Sequence, residues 1–158
     1  MNKNEKLAIF LLRFSMGWMF LCSGASKILN PNWTAAGFLK GSQTFPELYT
    51  VLTDPSILPV INLLNEWGQL LLGISLILGI GVRLSSILGA FLMFLYYVPQ
   101  LNFPYIGKTS FIVDQHVIFA LVLVYFALAR AGRVHGLEEW CAGLPICRKI
   151  PRIRSWFG

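Results

Sequence analysis

Four ionisable side chains stand inside or at the ends of long apolar runs: Arg13, Lys27, Glu66 and Asp114. Such groups are costly in hydrocarbon and mark ion pairs, proton relays or ligand sites. Hydrogen-bonding residues accompany them, among them Gln69, Tyr96, Gln100 and His116. The set offers an ammonium, two carboxylates, an imidazole and a phenol. Such groups can move protons to and from a polar ligand, or they can lock helices together. Glu66, Lys27, Asp114 and His116 are the candidate catalytic residues. Arg13, Tyr96, Gln100 and Gln69 are the candidate ligand-binding residues. No metal-ligand spacing is present, so no metal site is expected. Cys22, Cys141 and Cys147 make an odd count without a Cys-x-x-Cys pair. Cys22 lies in an apolar run and reads as a packing residue.

The elements that must position these groups are membrane spans. The 158 residues are 56% hydrophobic and only 13% charged, with a mean hydropathy of +0.64. A soluble domain carries about 25% charged residues. The composition excludes a disordered chain. The net charge of +6 does not point to nucleic acid, because the basic residues flank apolar runs and form no recognition motif. Spans are expected at about 7–29, 58–80, 84–101 and 111–131, each near the ~20 residues that cross a bilayer. The fold class is therefore all-α, a polytopic four-transmembrane-helix bundle. Residues 1–158 form one domain with a basic tail at 132–158. Arg13 interrupts the first run, which is too long for a signal peptide and is expected to be retained.

Orientation follows from Lys and Arg placement. Lys3, Lys6, Arg83, Arg130, Arg133, Arg148, Lys149, Arg152 and Arg154 fall on one side of a four-span arrangement. Lys40 and Lys108 lie in the opposite connectors. Both termini are expected in the cytoplasm. The outward connector 30–57 carries Phe45, Leu48, Tyr49 and Leu52 at i, i+3, i+4, i+7 spacing. That spacing predicts an amphipathic helix on the membrane surface or over the bundle. Exposed aromatics there also suit a partner protein.

Helical phase at ~100° per residue gathers the polar groups. Arg13, Gly17, Gly24 and Lys27 share a stripe on the first span. Asn62, Glu66, Gln69 and Gly73 share one on the second, and Ser85, Gly89, Met93, Tyr96 and Gln100 one on the third. On the fourth, Asp114, Leu121 and Tyr125 align. His116 falls about 160° from Asp114 and is expected toward headgroups or a partner. Glu66 lies ~12 Å below the outer end, within reach of Lys27. Arg13 either snorkels to phosphates or points to Tyr125. Two readings of the outer cluster stand side by side. One is a structural ion-pair network, and the other is a proton-handling or ligand site.

These residues resemble a known family. Arg13-Phe14-Ser15-Met16-Gly17 and Ser23-Gly24-Ala25-Ser26-Lys27 resemble the first-helix signature of the DoxX/DoxD membrane proteins. Glu66-Trp67-Gly68-Gln69 through Leu72-Gly73 resembles the second. Asp114-Gln115-His116 and the aromatic connector with Trp33 are similar to the DoxD branch. The resemblance covers most of residues 7–131. It implies a bacterial or archaeal inner-membrane protein tied to redox metabolism, in the manner of the membrane subunit of thiosulfate:quinone oxidoreductase. That implies at least one other protein subunit.

The sequence has no haem, flavin or iron–sulfur ligation pattern. Any redox role must then borrow electrons from a partner, and the resemblance implies a quinone as the substrate that the bundle could hold. It needs an apolar slot, donors at its carbonyls and a proton source. Tyr96, Gln100, Lys27 and Glu66 are expected in those roles, with Phe20 and Met93 as walls. The runner-up reading is a non-catalytic accessory subunit of a larger membrane complex. A small transporter ranks third, since no inverted repeat or broken helix is present.

Overall fold

A computed structural model describes residues 1–107 and 110–138. Lys108, Cys141, Cys147 and most of the basic tail lie outside the described residues. Helix α1 runs Lys3–Ile28. It starts in a capping box, where Asn2 accepts from the Glu5 amide and Glu5 accepts from the Asn2 amide. Two short helices follow in the connector, α2 at Ala36–Lys40 and α3 at Pro46–Val51. Helix α4 covers Leu58–Leu78 and α5 covers Val82–Gln100. Gly79 and Gly81 turn the chain between them at φ 69° and 64°, a left-handed backbone that favours glycine.

After α5 come three two-residue strands, β1 at Leu101–Asn102, β2 at Tyr105–Ile106 and β3 at Ser110–Phe111. They pair antiparallel in chain order. Helix α6 then runs Gln115–Leu128, and a 3-10 turn at Ala131–Arg133 follows it.

The all-α membrane architecture stands. Helices α1, α4 and α5 are long and apolar enough to cross a bilayer. The fourth, α6, is apolar but only 14 residues long, about 21 Å at ~1.5 Å per residue. The expected span 111–131 is shortened at both ends. Strand β3 takes Ser110–Phe111, and Arg130 adopts a left-handed φ of 49° where the 3-10 turn begins.

The helices pack as two pairs. Helix α1 lies along α4, and α5 lies along α6. The contact between α4 and α5 is thinner. The first pair meets at glycine. A Cβ at Gly24 would lie 2.5 Å from the Leu70 nitrogen, and one at Gly73 would overlap the Leu21 backbone. Small residues are how spans approach closely in lipid. The core shared by both pairs holds Met16, Phe20, Leu72, Leu76, Met93, Leu123 and Phe126.

Two expectations about facing fail here. Leu121 and Tyr125 are 63% and 48% exposed, so the aligned stripe on α6 faces outward. Leu123, Phe126 and Ala127 face in instead. Asp114 precedes the helix as its N-cap, so it never shared the helical period of Leu121. The connector stripe also divides. Tyr49 is buried, while Phe45 and Leu48 are exposed, because α3 lasts only from Pro46 to Val51.

The α1–α4 seam generates a prediction. Gly73→Val should force the two backbones apart and destabilise the protein by ~1–3 kcal/mol, the range for overpacked sites. Thermal unfolding in detergent reads this. A melting temperature equal to that of the natural protein would show that the seam does not hold the pair.

Candidate functional site

The outer half of the bundle gathers around one ammonium. Lys27, in the last turn of α1, donates to Asn65 Oδ1 at 2.8 Å, Gln69 Oε1 at 2.6 Å and the Tyr96 hydroxyl at 3.0 Å. Ser23 donates to the same Gln69 oxygen at 2.7 Å. Tyr96 in turn donates to Asn65 Oδ1 at 2.8 Å, and Gln69 Nε2 lies 3.3 Å from the Tyr96 oxygen. Helices α1, α4 and α5 are thus tied by neutral oxygens around a cation. Charge-assisted bonds of this kind are the strong ones. The Lys27 ammonium also sits over the rings of Trp33 at 5.1 Å and Tyr96 at 5.5 Å.

Tyr96 joins this network to α6. Its ring stacks on His116, with centroids 5.8 Å apart and planes within 9°. His116 Nδ1 lies 2.5 Å from Asp114 Oδ2. Asp114 also caps α6, accepting from the His116 and Val117 amides. A carboxylate–imidazole pair therefore stands one ring away from the Lys27 network. On the other side of Tyr96, Phe38 packs at 5.2 Å.

A cavity of about 480 Å³ opens beside these groups, beneath the connector. Lys27, Asn65 and Tyr96 supply its polar wall. Trp33, Phe38, Tyr49, Leu52, Ile61, Leu64, Leu92 and Leu95 supply much of the rest. Ala35, Leu39 and Tyr49 form a small second core that fixes the connector over the helices. The Ala35 amide donates to Asn62 Oδ1 at 2.9 Å, which ties the connector to α4.

The structure brings together Lys27, Gln69, Tyr96, Asp114 and His116. It sets Glu66, Gln100 and Arg13 apart. Among the described residues, Glu66 makes no ion pair with Lys27, although it is half-buried. Asn65 takes the expected place. The inward face of α4 is set by Asn65, Gln69, Leu72, Gly73 and Leu76, centred about 75° from Glu66 at ~100° per residue. Gln100 turns its amide onto the Tyr96 carbonyl, 3.3 Å away. His116 was expected to point away from the cluster and instead lies against Tyr96. Phe20 and Met93 belong to the packed core and not to the cavity wall. Asn65 was missed in the sequence, although its i, i+4, i+7 relation to Gln69 and Leu72 carried the signal.

Arg13 works at the inner end. It is fully buried and points to neither phosphates nor Tyr125. Its Nη1 donates to the Ala131 carbonyl at 2.5 Å and its Nη2 to the His135 carbonyl at 3.2 Å. The residue pins the chain after α6 back onto α1. Buried beside it is Glu138, 8% exposed, with neither carboxylate oxygen hydrogen-bonded. Its side chain packs where a Cβ on Gly132 would stand. Burial pushes the Glu138 pKa up to about 7, although Arg133, Arg13 and Arg130 pull it down.

The family model described as DoxX matches residues 8–98. That match takes in most of α1, the connector, α4 and nearly all of α5. A search of curated proteins and one of solved structures found no match.

Glu138 makes the inner end sensitive to pH. The folded chain holds its proton up to about pH 7, whereas an ordinary glutamate releases it near 4.5. The folded state therefore binds more protons between these values. Stability should be full below about pH 4.5 and should fall as pH rises toward 7. Melting curves across that window should show the decline, and Glu138→Gln should remove this contribution to it. A slope of the same size in the variant would contradict the assignment.

Proposed function

The chain belongs to the DoxX family, and on that premise we propose that it is the membrane subunit of a quinone-linked oxidoreductase acting on sulfur compounds. The outward cavity takes the quinone headgroup. One observation carries this reading. The Lys27 ammonium and the Tyr96 hydroxyl lie in the wall of an aromatic-lined cavity, and no carboxylate is paired with the ammonium among the described residues. Such a cation favours negative charge that develops on a ligand oxygen. A concave apolar site with a few convergent polar groups is the usual form of a small-molecule pocket.

Quinone reduction takes two electrons and two protons. In this reading, Lys27 and Tyr96 turn the hydrogen bonds they now give to Asn65 onto a quinone carbonyl. Asp114 and His116 hold a proton one ring behind Tyr96. Trp33 and Phe38 flank the headgroup. The electrons come from a partner subunit that oxidises the sulfur compound. Oxidative coupling of two thiosulfate ions to tetrathionate releases two electrons, which matches one quinone.

A second reading has its own support. The three ammonium protons of Lys27 already have acceptors in Asn65, Gln69 and Tyr96. A network so closed also suits an accessory subunit, in which Lys27 only holds helices together. In either case the protein sits in a bacterial or archaeal inner membrane with a partner chain. The distribution of basic residues supports a reading in which both termini are cytoplasmic.

Two measurements test this. A short-chain quinone titrated into the protein in nanodiscs should quench the fluorescence of Trp33, with Trp33→Phe as the control. Lys27→Met should weaken binding about 10- to 100-fold, as expected for a hydrogen bond to a charged group of ~1.5–3 kcal/mol. Absence of binding by the natural protein, with a lowered melting temperature in Lys27→Met, would favour the accessory reading. For orientation, a cysteine placed at Lys40 should react with an impermeant reagent added outside the cell. Reaction at a cysteine replacing Arg83 instead would reverse the topology.

A further inference from the structure

A second space adjoins the headgroup cavity. An apolar crevice of about 700 Å³ lies between α4 and α5, whose contact is thinner than the contact within either helix pair. Leu64, Leu92 and Leu95 line both spaces, so the crevice and the headgroup cavity share a wall at these residues. From there it passes Gly68, Leu71 and Leu88 toward Ser75, Ile80 and Gly81 at the inner turn. Its walls from Leu64 to Ser75 and from Leu84 to Leu95 each cover about 17 Å of helix at ~1.5 Å per residue. That is about half of the ~30 Å hydrocarbon core. Leu64, Leu71, Leu88 and Phe91 are 58–65% exposed and lie open on the outer face of the helices. The crevice is therefore open sideways to lipid.

We infer that this crevice is the tail subsite of the headgroup cavity, and that the ligand is a quinone carrying a long apolar chain that enters sideways from the bilayer. The inference rests on the reading of the cavity as a quinone site. The wall that the two spaces share at Leu64, Leu92 and Leu95 selects this occupant. A ligand with its polar ring against Lys27 and Tyr96 would have its chain leave past Leu64, Leu92 and Leu95. It would meet only aliphatic and aromatic carbon along most of that path. Ser75 and Ser85 do not interrupt it, because their hydroxyls bond each other at 2.7 Å and Ser75 also donates to the Ile80 carbonyl.

Gly68 gives the test. It lines the crevice and not the headgroup cavity. A Cβ added there meets no atom within 4 Å. Gly68→Leu should therefore fill the crevice without disturbing the fold or the Lys27 network. Binding of a tail-less benzoquinone and of its decyl-substituted analogue would be measured in nanodiscs of one lipid composition. The natural protein should bind the decyl compound at least tenfold more tightly. Gly68→Leu should lose most of that preference while binding the tail-less ring unchanged, at an unchanged melting temperature. Comparing the two proteins in the same lipid cancels partitioning of the chain into the bilayer. Equal preference in both proteins would overturn the tail subsite and leave the headgroup reading standing. Failure of either compound to bind the natural protein would overturn both.

Discussion

Everything in the outer half depends on solvating one ammonium without water. Lys27 is held by an asparagine, a glutamine and a phenol from two other helices. A cation at the edge of a bilayer must find such partners or reach the headgroups. Because the partners are neutral, the charge is dispersed but not cancelled. That distinguishes this arrangement from a buried ion pair, in which the desolvation cost of both charges offsets their attraction. The same oxygens fix the relative depth of α1, α4 and α5. They also place Tyr96 so that its ring meets His116 on α6. One positive charge thereby organises four helices and leaves a polar wall on a cavity.

The two ends of the bundle solve different problems with the same kind of bond. At the outer end, side-chain oxygens receive Lys27. At the inner end, backbone carbonyls of residues 131 and 135 receive Arg13. Those carbonyls lie in the segment after α6, and that of Ala131 also accepts from the Val134 amide. Arg13 satisfies them and ties the last described segment to the first helix. Gly79 and Gly136 lie close against the guanidinium, and a Cβ on either would crowd it. Between the two ends, glycine contacts hold α1 to α4, while α4 and α5 stand further apart. The tight seam and the open one have opposite consequences. The first gives stability, and the second gives access from lipid.

The bundle, three of its spans and much of the site could be read from sequence, and the reasons are physical. Length and hydropathy specify spans because a bilayer leaves few alternatives. Lys27, Gln69 and Tyr96 were placed together because each lies on a stripe shared with glycine. Glu66 was misplaced because charge was taken as the centre of the inward face. Glycine at the α1–α4 seam sets that face, and it brings Asn65 inward. His116 was misplaced because a helical wheel was applied across an N-cap. Asp114 has extended backbone, so its side chain folds back over the first turn of α6. The cavity itself lay beyond sequence reasoning. It depends on how α2 and α3 drape Trp33, Phe38 and Tyr49 over the helices, and that is tertiary packing with little periodicity to reveal it.

Photoaffinity labelling with an azido-substituted quinone, followed by peptide mapping, tests the central claim most directly. The account predicts that the label lands on the segment from Trp33 to Leu39 and on the end of α5 near Leu92 and Tyr96. It also predicts that excess unlabelled quinone suppresses the label there and that Lys27→Met abolishes it. A label spread over the outward residues Phe91, Phe94 and Val124, and insensitive to competitor, would contradict it.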